Sequence, residues 1–195
     1  MRKFKTLFIQ SYKELKRVSC ITLLAMLGAI SIVLGYFALQ PIEILKISFN
    51  FLPNEFVYYL FGPAVGIVYG AALDLLTFFV RPTGPFFYGF TVSAILTGLW
   101  YGAVLYRRPL SFKRILAAKL IYTLTIHLLL NTYWLTQLYG YNFIAILPIR
   151  ALKSALLLPV ETMLLYSLIK GAEATGVLKR IQSTGDRPNR KTKAS

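Results

Sequence analysis

The chain has 195 residues, 56% of them hydrophobic, with a mean hydropathy of +0.60 and a formal net charge of +15. This is too apolar for a soluble domain and too short for two membrane domains, so one all-helical integral membrane bundle is expected. The single cysteine, Cys20, excludes an internal disulfide or a cysteine metal cluster; the lone His127 reads as a packed histidine, and neither a metal nor a cofactor is expected.

Residues 1–19 form a basic amphipathic lead-in with Arg2, Lys3, Lys5, Lys13, Lys16 and Arg17, suited to the anionic cytoplasmic surface of a bilayer. The apolar run 21–39 is long for a signal-peptide core and lacks a small-x-small cleavage site, so it is expected to be the first transmembrane helix. On it Ala25 and Ala29 stand four apart with Gly28 beside them, a spacing that admits another helix backbone. Gln40-Pro41 is expected to end that helix, and 42–50, with Glu43 and Lys46, to be irregular or interfacial. A shorter second span covers 51–61, and Gly62-Pro63 turns the chain into a third, 64–80.

The third span carries Asp74 at its middle, where a charge costs roughly 2.5–3.5 kcal/mol to insert and therefore faces protein or water. Small residues on this span (Gly66, Gly70, Ala71, Ala72) and on the fourth (Ser93, Ala94, Gly98) let neighbouring helices approach closely. The fourth span, 86–106, follows the rigid linker 81–85 and stops at Arg107-Arg108-Pro109. The fifth, 115–138, ends in Tyr139-Gly140-Tyr141-Asn142. The sixth, 144–169, has Pro148 near its start and Pro159 at an expected kink. The expected organisation is thus a lead-in (1–19), a six-helix transmembrane domain (20–170) and a basic tail (171–195).

Lysines and arginines orient the bundle. The lead-in holds 6, the segment between the fourth and fifth spans holds 5 (Arg107, Arg108, Lys113, Arg114, Lys119), and the chain from Lys170 onward holds 7, together 18 of 22. All three blocks fall on one side, which the positive-inside rule makes cytoplasmic, together with both termini. Blocks that flank apolar segments argue for a membrane rather than nucleic acid.

Four cations are left on the opposite side: Lys46, Arg81, Arg150 and Lys153. The last two lie three apart on one helical face. Either they pair with internal acids such as Glu55, Asp74 or Glu161 or snorkel outward, or they line an outward pocket for an anionic solute. Aromatic residues crowd the same side, including Tyr88 and Trp134. They suit an interfacial belt, or, with Asn131, a flat heteroaromatic ligand bearing carboxylates. Asp74 reads equally as an acceptor for an amino-substituted ring and as a neutraliser of a nearby cation.

No phosphate-loop motif, zinc-protease motif or nucleophile elbow occurs, so enzymatic chemistry has no evident carrier and the chain does not power itself with ATP. A small lipid- or peptide-directed membrane enzyme would need a constellation absent from the sequence. A stand-alone channel or structural subunit is the other alternative.

The segments Leu60-Phe61-Gly62-Pro63-Ala64-Val65-Gly66, Gly70-Ala71-Ala72-Leu73-Asp74, Thr83-Gly84-Pro85-Phe86-Phe87-Tyr88-Gly89-Phe90 and Leu96-Thr97-Gly98, with residues 24–34, resemble the substrate-binding S components of energy-coupling factor (ECF) vitamin transporters, nearest the folate-specific branch. The resemblance spans about residues 20–170. It implies a six-helix protein that binds folate or a relative from outside, a transmembrane coupling protein (T component) docking at Ala25, Gly28 and Ala29, and two cytoplasmic ATP-binding subunits. It also implies that the S component topples in the membrane to deliver its ligand. On physical grounds, Arg150 and Lys153 with Arg81 or Lys46 are expected to hold carboxylates, Tyr88 and Trp134 to stack on the ring, and Asn131 and Asp74 to hydrogen-bond it. Another anionic or heteroaromatic vitamin is the alternative ligand.

Overall fold

The computed structural model describes residues 2–37, 39–42, 45–82, 84–176 and 178. Helix α1 (Arg2–Leu15) leads into α2 (Val18–Tyr36), a two-stranded antiparallel hairpin follows (β1 Leu39–Ile42, β2 Leu45–Ile47), and the remaining elements are helical. They are α3 (Phe51–Phe61), α4 (Pro63–Val80), α5 (Tyr88–Leu105), α6 (Phe112–Tyr122), a π-helical stretch (Thr123–Leu130), α7 (Asn131–Tyr139) and α8 (Phe143–Ala174). Five segments are long and apolar enough to cross a bilayer: α2, α4, α5, the continuous run Phe112–Tyr139, and α8.

The spine is the α4–α5 pair. A Cβ on Gly66 would overlap the backbone of Gly98, one on Gly70 the carbonyl of Ala94, and one on Gly102 the backbone at Gly62-Pro63. Van der Waals packing of backbone on backbone is what small residues supply in a membrane, where lipid gives helices no hydrophobic reason to associate. The corner feeding this pair explains Phe-Gly-Pro. Gly62 sits at φ +85°, against the Tyr106 ring, and Pro63 occupies the first turn of α4, where its missing N–H costs nothing.

Around the spine, tyrosines fill the interior. Tyr58 stacks on Tyr101 at 6.3 Å and meets Tyr69 edge-on at 6.0 Å, and Tyr69 donates to Asn54 Oδ1 at 3.0 Å. Trp100 Nε1 donates to the Ala118 carbonyl at 3.0 Å, tying α5 to α6. Large apolar side chains on α8, such as Leu152, Leu156 and Met163, point outward, as lipid contact requires.

Several expectations shift. The first long helix ends at Tyr36, and Gln40-Pro41 lies on β1 instead of terminating it; the segment read as irregular forms the hairpin, with Leu39 opposite Ile47 and Ile42 opposite Leu45. The 51–61 span is α3, 11 residues and so about 16 Å long, too short to cross a ~30 Å hydrocarbon core alone. Helix α8 runs as one 32-residue element through Pro148 and Pro159, and past Gly171 to Ala174. Most of the expected tail lies outside the described residues. The lead-in helix α1 is also docked on the bundle: the buried Ser11 hydroxyl donates to the Phe61 carbonyl at 2.6 Å and accepts from the Val65 N–H at 3.1 Å.

Candidate functional site

At the end of the bundle where α4 finishes and α8 begins lies a cavity of about 470 Å³, within the range of small-molecule sites. Its wall is assembled from five places. Helix α4 contributes Asp74, Thr77, Phe78 and then Arg81 at its end. The connection to α5 adds Gly84, Pro85, Phe86 and Phe87, and α5 adds Phe90. The first turns of α3 add Phe51 and Glu55. The π-helical stretch and α7 supply Thr123, His127, Asn131 and Leu135, with Tyr122 just before them. Helix α8 supplies Arg150, Lys153, Ser154, Leu157 and Glu161.

The π stretch has a geometric consequence. A four-residue step on an α-helix overshoots one turn by about 40°, and the wider i→i+5 turn offsets that drift. Thr123, His127, Asn131 and Leu135 therefore all reach the cavity. At its exit Asn131 N–H bonds back to the Ile126 carbonyl, and Arg150 Nη2 donates to the neighbouring His127 carbonyl at 3.4 Å.

Charge in the site is ordered. Arg81, Arg150 and Lys153 line the cavity with Asp74, Glu55 and Glu161. Glu55 and Glu161 share one ammonium: Lys119 Nζ lies 2.9 Å from Glu55 Oε1 and 3.0 Å from Glu161 Oε2, over the Phe51 ring at 4.4 Å. Lys119 was counted from sequence among the cytoplasmic loop cations; it is instead buried, two turns inside α6. Asp74 Oδ2 accepts from Thr91 Oγ1 at 2.7 Å. The Arg81 guanidinium donates to the Gly35 carbonyl and lies over the Tyr36 ring, 5.4 Å from its centroid. Among the described residues, no group of three or more His, Cys, Asp or Glu is placed to hold a metal ion.

Of the residues expected at a site, Asp74, Arg81, Asn131, Arg150 and Lys153 come together on this wall. Tyr88 and Trp134 do not. Tyr88 heads α5 and is 78% exposed, edge-on to Phe86. Trp134 backs the wall, its Nε1 donating to Ser93 Oγ at 3.2 Å and its ring 5.7 Å from that of Phe87. Lys46 falls on β2, its side chain outside what the structure describes. On α2, Ala25 and Ala29 are exposed while Gly28 is buried, facing Tyr69 and Leu73. The reading from sequence missed His127, Glu55, Glu161 and Phe90 as cavity residues; only Glu55 and Glu161 carried a signal, as carboxylates inside apolar runs.

A family model described as the substrate-specific component of ECF transporters matches residues 19–178. The folate transporter FolT of Clostridium novyi (strain NT) is 29% identical over 167 residues, covering 86% of this chain and 97% of that protein. FolT of Leuconostoc mesenteroides is 27% identical over 167 residues, covering 83% and 90%. Among solved structures, a crystal structure of FolT bound with folic acid superposes with a TM-score of 0.73 at 30% identity, covering 78% of this chain and 93% of that one. The family is one of transporter subunits, not of enzymes. The chain belongs to the substrate-specific components of ECF transporters.

Proposed function

We propose that this protein is the folate-capturing subunit of an ECF transporter in a bacterial cell membrane. It crosses the bilayer six times, α3 completing the count with support from its neighbours, and both termini are cytoplasmic. The observation that carries the proposal is the wall of the cavity: the rings of Phe51, Phe78, Phe86, Phe87 and Phe90 beside Arg81, Arg150 and Lys153. Folate combines a flat pterin ring with a glutamyl carboxylate tail. Aromatic faces accept the ring and guanidinium or ammonium groups accept the carboxylates. The FolT relatives and the folic-acid-bound structural neighbour favour the same ligand over other vitamins.

Lacking a phosphate-loop motif, the subunit depends on a T component and two cytoplasmic ATP-binding subunits. The exposed Ala25 and Ala29 offer the T component a close-approach face, and delivery follows from toppling of the whole bundle. Isothermal titration of the detergent-purified protein with folic acid, riboflavin, biotin and thiamine tests the ligand assignment. Saturable binding of folic acid alone is expected, and no heat with micromolar folic acid would overturn it.

A further inference from the structure

The cavity face of α8 is polarised along its length. Arg150 and Lys153 stand at one end and Glu161 at the other, eleven residues and about 16 Å from Arg150. Between them the Ser154 hydroxyl, 7% exposed, faces the cavity with no hydrogen-bond partner among the described residues. On the α7 side of the same cavity Asn131 Oδ1 is likewise buried without a partner among the described residues. At the far end Lys119 neutralises one of two carboxylates, so the Lys119–Glu55–Glu161 cluster retains a formal negative charge. Glu55 is almost fully enclosed, whereas the Glu161 side chain lines the cavity, is 29% exposed and has one oxygen engaged by Lys119.

A carboxylate held by a lysine, with its second oxygen free in a low-dielectric pocket, is an acceptor awaiting an N–H donor. We propose that Glu161 is a specificity residue of this site. It accepts the N–H donors of an amidine-like N–C–N edge on the ligand's ring, so that the ring lies at the Glu161 end and the carboxylates lie at the Arg150 end. This rests on the folate reading above, because the pterin ring has such an edge and the glutamyl tail lies at its opposite end. Lys119 acts as a positioning residue: it holds one oxygen of Glu161 and is itself held by Glu55.

The test compares folic acid with its 2-desamino analogue, which lacks one of the two donors, in wild type and Glu161→Gln. Wild type is expected to prefer folic acid by about tenfold or more, the usual weight of a hydrogen bond to a charged group. In E161Q, whose amide oxygen still accepts but without charge, the preference falls to about fivefold or less. A ratio of two affinities measured on one preparation is insensitive to the fraction folded, so partial destabilisation does not mask the result. Glu161→Asp, which keeps the charge but withdraws it by one methylene, should retain an intermediate preference. An unchanged preference in E161Q overturns the assignment while leaving the folate reading intact; absence of folic acid binding to wild type overturns both.

Discussion

Replacing Lys119 by methionine is the sharpest test of how the bundle tolerates its interior charge. The side chain is 2% exposed, Glu55 is 5% exposed and Glu161 29%, so the substitution strands one enclosed carboxylate and one partly wetted one. Breaking a buried pair by removing one partner costs about 3–5 kcal/mol, because the remaining charge keeps its desolvation penalty without compensation. The larger share falls on Glu55, the more enclosed of the two. For a chain of this size that corresponds to a fall in melting temperature of roughly 6–20 °C, readable by tryptophan fluorescence in detergent. The double variant Lys119→Met/Glu55→Gln removes the more enclosed of the two stranded charges and should recover most of the loss. A single variant melting within about 2 °C of wild type, or a double variant no better than the single, would refute the claim that Lys119 is there to hold these acids.

Other substitutions separate binding from packing. Arg150→Ala should weaken folic acid binding by roughly 10- to 100-fold with normal expression, as read by titration; equal loss of binding and yield would assign Arg150 to structure instead. Gly98→Val drives a side chain into the Gly66 backbone and should cost about 3 kcal/mol or more, whereas Gly171→Ala, with open space around its Cβ, should stabilise by about 0.4–1 kcal/mol; thermal unfolding of the pair checks both. Ser11→Ala removes the hydroxyl shared by Phe61 and Val65 and should destabilise by about 1–2 kcal/mol, with faster hydrogen exchange at the Val65 amide.

Close packing of α4 on α5 was legible because small residues at helical spacing have few other uses in an apolar helix, and Gly66, Gly70, Ala94 and Gly98 are such residues. The Phe-Gly-Pro corner was legible for the same kind of local reason. Lys119 was not. Counting cations by loop assumes that a lysine near a helix start stays outside, but α6 begins at Phe112, which carries Lys119 about 10 Å inward. Its partners lie 64 and 42 residues away in sequence, a separation that no local pattern reports. Trp134 and Tyr88 were placed by composition alone. Which face of α7 meets the cavity depends on the π stretch before it, and no residue in Thr123–Leu130 announces that geometry. The β1–β2 hairpin was obscured by Pro41, which reads equally as a helix stop and as an edge-strand residue.

Arg81 joins two regions that composition treats as separate. It lines the cavity, and the same guanidinium caps the Gly35 carbonyl near the end of α2 and covers the Tyr36 ring. Tyr36 in turn donates from its hydroxyl to the Val80 carbonyl at 3.1 Å, so the ends of α2 and α4 are held by two reciprocal contacts one residue apart. Helix α2 is also the element whose exposed Ala25 and Ala29 form the proposed docking face. A guanidinium carries five N–H donors in a fixed planar fork, so the Nη1 bond to the Gly35 carbonyl leaves further donors for the cavity. A lysine at this position would keep the charge and lose the fork that serves both, which is why Arg81, more than Arg150 or Lys153, links what the cavity holds to how α2 is anchored.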